Sequence, residues 1–363
     1  MGFGRWLLLS GVCLVLATEK STHSVQWRGS LTKMDETGRT AYNGLVTRAQ
    51  FYKDFVYLCI PRLKPNCKAT LVRMRFSDAP MNDVTTENPN IELFPSWTPQ
   101  TEGDCSCLQS AVDLYLDEMK ILWVLDVGSI KFVQSNPTDR CYPKVLGINV
   151  ETGKTEHVIS LQSLIEPISR VQFIVADYDK DGKCYLYISD AATMSIIVWD
   201  VTNKVGHRVM LPDDVISENA PKDVLYLALV RKATSTLLYF TYRSGEKMFF
   251  IDTKCLRKEA STAKSSEVGL KPARLIILGT DGLDCVYFRY EIYPDIYKWN
   301  TNTPFSQDNF QLVHTGGQLT PTQVMPYYSW NVMMLCESNL SEYLNPNSKP
   351  SDAINSLTVM QVA

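Results

Sequence analysis

Arg62, Asp126, Asp190, Arg243, Glu291 and Asn339 each stand at the close of an apolar run, one in each of six copies of a strand-rich pattern. Acids and cations converging on one place would hold a small zwitterion or amine through paired charges and charge-assisted hydrogen bonds. The plainer account is that these residues cap strands, pair across neighbouring segments and exclude water. The plainer account is preferred here, because polar residues between strand ends and turns are commonplace.

Other catalytic constellations are hard to find. His23, His157, His207 and His314 are isolated, with no H-E-x-x-H and no paired Cys/His spacing for a metal. No G-x-S-x-G elbow, P-loop or G-x-G-x-x-G occurs, so nucleophilic hydrolysis and nucleotide chemistry have no support and no cofactor is expected. A proton-transfer isomerase would need only an acid and a base held over a bound ring, for which Asp126, Asp190 or Glu291 would serve. Asp177-Tyr178-Asp179-Lys180-Asp181-Gly182 mimics the opening of a calcium loop, but Ile188 stands where a bidentate Glu belongs. A polar hairpin turn accounts for it better, and no metal is expected.

The elements that would position these residues repeat with a period near fifty. Each copy has an apolar strand, a short polar turn, a second strand and a third, as in QFIVADYDKDGKCYLYISDA followed by SIIVWDVTN. Asn149, Asp200, Asp252 and Asn300 end the third strands of four copies, at intervals of 51, 52 and 48 residues. No window shows sustained helical spacing. An all-β, six-bladed propeller follows, with blades near 43–76, 110–150, 171–201, 224–252, 274–300 and 322–362 in one domain over 18–363. Long insertions at about 77–110 and 340–352 make the first and last copies atypical.

Arg5 followed by the apolar run from Trp6 to Leu16 and a small-residue exit at Ala17 reads as a signal peptide over 1–17, so secretion to the extracellular space is expected. No other segment approaches membrane length, and a net charge of −3 gives no reason to expect nucleic acid or an anionic membrane as partner. Cys13 leaves with the leader, and nine cysteines remain for an oxidising compartment, with at least one left over. Cys59 and Cys67 flank a turn region and are one candidate pair; Cys105 or Cys107 with Cys141 is another, both segments bordering the second blade. Most of the eighteen tyrosines, including Tyr57, Tyr187, Tyr239 and Tyr287, lie in strand runs and belong to the core.

PSW (95–97), GDC (103–105), LQSAV (108–112), LWVLDVG (122–128) and CYPKVLGINVETGK (141–154), in this order, resemble the Yellow and major royal jelly protein family of insects. PRLKPNCKATL (61–71) and the run over 177–201 extend the likeness, and the runs DVLYLALVRK, LYFTYRSGEK and GTDGLDCVYFRYEIYPDIYKWNTNTPF between Asp223 and Phe310 resemble the Yellow-g branch. The resemblance implies a secreted six-bladed propeller. It also implies a range of roles: cuticle pigmentation, dopachrome conversion in melanin synthesis, nutrition, and salivary binding of biogenic amines, with the Yellow-g branch associated with the eggshell.

The resemblance to the amine binders would place a ligand at Asn339, in Ser338-Asn339, and at Thr322. The aromatic that should follow the Asn is absent, since Leu340 and Ser341 stand there. Asn339-Leu340-Ser341 is also a glycosylation acceptor, and one Asn cannot hold both a glycan and a ligand. A bridge common among relatives lacks its first cysteine here, replaced by Met119, which leaves Cys184 without that partner. The reading that results is a secreted, non-enzymatic propeller of an insect eggshell (chorion or vitelline) or cuticle matrix, with matrix proteins as partners. The alternatives are a dopachrome-converting enzyme and a binder of small aromatic amines at the channel mouth.

Overall fold

Runs rich in Val, Ile, Leu, Tyr and Phe form strands, because branched and aromatic side chains pack well on a pleated surface. The Asp, Gly and Lys clusters between them reverse the chain: Lys53, Lys120 and Gly182 take φ of 49°, 68° and 78°, the backbone that tight hairpin turns need. The computed structural model describes residues 24–28, 30–35, 38–64, 67, 69–76, 91–95, 100–129, 141–258, 262–349 and 352–360. The leader expected over 1–17 lies outside the described residues. Among them, no helix is long and apolar enough to cross a membrane.

Six four-stranded antiparallel sheets stand as blades around an axis, which is the six-bladed propeller expected from the period. Their inner strands are Arg48–Tyr52, Ala111–Leu116, Val171–Tyr178, Leu225–Arg231, Leu275–Thr280 and Thr320–Tyr327, and each touches the next around the ring. The second and third strands follow in each blade as the sequence pattern places them. The fourth, outermost strands are Ile91–Leu93, Thr155–Ser160, Val205–Met210, Ser266–Leu270 and Phe310–His314 in blades 1 to 5. The sequence pattern shows three strands per copy because most outer strands are short and largely solvent-facing, without an apolar alternation to mark them.

Blade 6 is completed from the other end of the chain. Ser24–Arg28 pairs antiparallel with Ile354–Met360, so the N-terminal strand closes the ring as the outer strand of the last blade. A buried apolar cluster fills the gap between each pair of neighbouring blades, for example Trp123, Leu125 and Val145 against Ile174, Leu186 and Ile188 between blades 2 and 3. A single antiparallel sheet cannot cover both of its faces, and the radial stack covers them.

Cys105 and Cys141 form a disulfide, with Cα atoms 5.3 Å apart. Cys107, the alternative partner, is unbridged, and so are Cys59 and Cys67, which correct the expectation of a bridge between them. Their side chains enter different layers. Cys59 packs with Tyr57 and Leu71 between blades 1 and 2, whereas Cys67 packs with Val46 and Ile60 between blades 6 and 1. Burial pushes the Cys67 thiol up to about 12 and raises that of Cys59 well above its ordinary value, so both behave as small apolar groups. Cys184 is also an unbridged buried thiol. Among the described cysteines seven are unbridged, more than the oxidising-compartment arithmetic suggests.

Candidate functional site

The inner strands enclose a central cavity of about 610 Å³, a size suited to a small organic molecule. Four inner strands shift register along their length: between Ala111 and Asp113, Val171 and Ile174, Ile277 and Gly279, and Pro321 and Gln323. Such bulges bend a strand and re-aim its side chains, and they recur next to binding sites. Here they adjoin Asp113, Phe173 and Gln323, all in the cavity wall.

At the level where the inner strands begin, Arg48 Nε lies 3.2 Å from Asp113 Oδ1. The Arg48 guanidinium also donates to the Thr322 carbonyl and stands 5.0 Å over the Phe173 ring. Asp113 Oδ2 accepts from the Ile174 amide at 2.8 Å. Burial pushes the Asp113 carboxyl up to about 6, against the lowering by Arg48 and the Ile174 amide. Gln323 accepts from the Ala49 amide at 2.6 Å and Gln50 donates to the Leu114 carbonyl at 3.2 Å, so blades 6, 1, 2 and 3 are stitched together.

Where the inner strands end, Arg231 Nη2 donates to the Tyr115 hydroxyl on blade 2 at 3.0 Å and to the Ala176 carbonyl on blade 3 at 3.1 Å. Asp117 accepts from Trp123 Nε1 at 2.7 Å and from the Tyr178 hydroxyl at 2.6 Å. On the rim, Lys53, Tyr52 and Lys120 all bond Glu151 and hold its carboxyl down at about 2.

None of the six recurrent polar residues lines this cavity. They end or closely follow the second strands, which lie one layer out and whose ends adjoin the beginnings of the inner strands, away from the Arg231 mouth. Arg62 is buried and donates to the carbonyls of Cys67, Leu108, Gln109 and Gln100. Asp126 accepts from the amides of Gln109, Ser110 and Gly128 and pairs with Lys144 at 3.1 Å. Asp190 accepts from the Arg170 amide at 2.8 Å. Arg243 pairs with Asp223 at 2.9 Å and with Glu291 at 3.5 Å, and Glu291 also meets Arg274 at 3.4 Å. Of the proposed ring, only Arg243 and Glu291 meet.

Thr322 donates from its hydroxyl to the Cys336 carbonyl at 3.1 Å. Asn339 is 8% exposed, donates to the Asp352 carbonyl at 2.9 Å and accepts from the Ile354 amide at 2.8 Å. Its amide therefore ties the last two strands of blade 6 together and offers little of itself to a ligand or a glycan. Among the described residues no three His, Cys, Asp or Glu side chains gather as metal ligands. Asp179 accepts from the amides of Asp181 and Lys183, and Asp177 pairs with Arg257, which makes the calcium-like segment a hairpin turn.

The cavity residues Arg48, Asp113 and Arg231 escaped the sequence reading, although a signal existed. Asp113 is a charge inside an otherwise apolar first strand, AVDLYL, and Arg48 and Arg231 stand at the start and the end of theirs, RAQFY and LYLALVR; a charge so placed needs a partner when it is buried.

Glu337, beside Asn339 in the second strand of blade 6, is buried, and burial alone pushes its carboxyl up to about 7. A carboxyl whose folded value is raised disfavours the ionised fold, so stability falls as pH rises from about 4.5, its unfolded value, to about 7. Glu337→Gln should match the parent at pH 4 and exceed it at pH 8 by roughly 1–3 kcal/mol. Urea unfolding at both pH values checks this, and an equal difference at the two would refute the burial argument.

A family model described as "Major royal jelly protein" matches residues 109–353. The "Protein yellow" of Drosophila yakuba is 22% identical over 293 residues, covering 72% of this chain and 53% of that protein. The Drosophila melanogaster "Protein yellow" is 22% identical over 242 residues, covering 61% and 44%. The chain thus spans about half the length of the curated relatives it matches. Among solved structures, a calcium-binding protein, regucalcin, from Agrobacterium tumefaciens superposes with a TM-score of 0.50 at 10% identity, covering 93% of this chain and 97% of that one. At that identity the likeness is one of fold.

Proposed function

The chain belongs to the major royal jelly protein family, and on that premise we propose that it is a secreted, non-enzymatic extracellular protein of an insect eggshell or cuticle matrix. The observation that carries the non-enzymatic reading is that ionisable groups at both ends of the channel are already engaged by the scaffold. Arg48 is held by Asp113 and the Thr322 carbonyl, and Asp117 by Trp123 and Tyr178. A general acid or base has to exchange protons with a substrate, and these groups exchange bonds with the scaffold. The leader-like run from Arg5 to Ala17 and the Cys105–Cys141 bridge support secretion. The likeness of the 223–310 region to the Yellow-g branch supports the eggshell, with matrix proteins as partners.

One observation favours a second reading, a dopachrome-converting enzyme. The Asp113 carboxyl, near 6, stands in the channel wall beside Phe173 and would suit proton abstraction from a bound ring. Incubation of the purified secreted protein with dopachrome, followed by absorbance, separates the two. Consumption at the buffer rate, with the protein recovered in the insoluble shell or cuticle fraction, is the expected outcome. Catalysed consumption that Asp113→Asn abolishes would replace the proposal with the enzyme.

A further inference from the structure

The cations that line the channel differ in how their charge is met. Arg48 faces Asp113, and Lys53 and Lys120 share Glu151. Arg231 makes no ion pair among the described residues. Its two bonds, both from Nη2, go to a neutral hydroxyl and a neutral carbonyl. The carboxylates around it are engaged elsewhere or stand off: Asp177 pairs with Arg257, Asp117 accepts from Trp123 and Tyr178, and Glu118 is exposed on the rim without an ion pair to Arg231. Asp177 and Glu118 attract the Arg231 charge from a distance, but no carboxylate among the described residues touches it, and a half-buried guanidinium with no acid in contact is open to an anion that can reach it.

The groups beside it are donors too. The Tyr115 hydroxyl accepts from Arg231, which leaves its own proton to give, and it donates no hydrogen bond to another described residue. Tyr328, 76% exposed, crosses the rim next to Gly282, where an added Cβ would come within 3.0 Å of its hydroxyl. Below this donor-rich mouth the wall turns apolar and aromatic, with Phe173, Val175, Tyr226, Leu229 and Met325. Inner strands of five to eight residues carry that wall for about 15–25 Å at roughly 3.3 Å per residue.

We propose that the channel is a receptor for a small aromatic carboxylic acid, its carboxylate held by Arg231 and the Tyr115 hydroxyl and its ring directed down toward Phe173 and Tyr226. The planar guanidinium fork matches a carboxylate, and the phenol adds a donor to the same oxygen pair. An amine placed against Arg231 would meet like charge. The ligand is an addition to the extracellular role proposed above and does not depend on the matrix in which the protein works.

Isothermal titration of the intact secreted protein with 4-hydroxyphenylacetate and with tyramine compares one ring carrying opposite charges. The acid should bind saturably, one per chain, and the amine at least about tenfold more weakly. Arg231→Gln should weaken the acid by about tenfold or more, and Tyr115→Phe by a smaller factor. Absent binding of the acid, equal or tighter binding of tyramine, or an unchanged acid affinity in Arg231→Gln would each overturn the proposal. Should Arg231→Gln fail to fold, Tyr115→Phe decides, and an unchanged affinity there overturns it. Saturable acid binding accompanied by chemical conversion of the acid would support the receptor and overturn the non-enzymatic reading instead.

Discussion

Trp27→Ala should destabilise the protein by about 3–5 kcal/mol, the cost of emptying a large buried aromatic site. Trp27 is 2% exposed and sits in the strand Ser24–Arg28, opposite Asn355 in the last strand of the chain. It shares a cluster with Met334, Cys336 and Leu357 of blade 6 and with Val46 and Ala49 of the first repeat. Asn355 Oδ1 accepts from the Val46 amide at 2.8 Å, so the two ends of the chain meet at this point. The substitution therefore acts on the closure of the ring as well as on one cavity. Trp27→Phe is the control: the indole nitrogen is buried without a hydrogen-bonding partner among the described residues, so replacing it forfeits packing but no bond, and a smaller loss is expected. Urea unfolding followed by far-ultraviolet circular dichroism measures both. A loss below about 1 kcal/mol for Trp27→Ala would mean that the N-terminal strand does not close blade 6 in solution.

Gly279→Ala should cost about 3 kcal/mol or more, because backbone strain and an unrelieved clash fall on the same atom. Gly279 has φ of +149° and stands beside a register shift in the inner strand of blade 5. A Cβ there would lie 2.1 Å from the Val324 carbonyl oxygen of blade 6. That neighbour is backbone in an inner strand of the channel wall, so it yields only if the two blades separate. Gly103→Ala isolates the backbone component, since Gly103 has φ of +85° with no atom within 4 Å of the added carbon. Its cost should be about 1–2 kcal/mol. Equal losses for the two variants would show that the approach of blades 5 and 6 is not what demands glycine.

The fold was largely legible because a propeller is periodic by construction. Asn149, Asp200, Asp252 and Asn300 mark equivalent turns, and the apolar runs between them are the strands that the blades contain. The family was legible in LWVLDVG and its neighbours, and the family model covers that stretch. The candidate site was much less so. Aligning the copies correctly grouped Asp126, Asp190, Arg243 and Glu291 as equivalents, yet equivalence around an axis does not say how far from the axis a residue stands. Second-strand ends cap the layer behind the channel, and Asp126 accordingly serves three backbone amides and Lys144.

By itself, the sequence determined the number of blades, the three inner strands of each and the family, since all of these are set by local alternation and by repeats along the chain. It also narrowed the partner of Cys141 to two neighbours. Only the tertiary structure decided that Cys105 is bridged, that Ser24–Arg28 completes blade 6, and that Arg48, Asp113 and Arg231 face one channel. Arg48 lies 65 residues from Asp113 and Arg231 lies 116 from Tyr115. Contacts at such separations exist once the ring is closed, because closure alone brings the first strand of every repeat to the same axis.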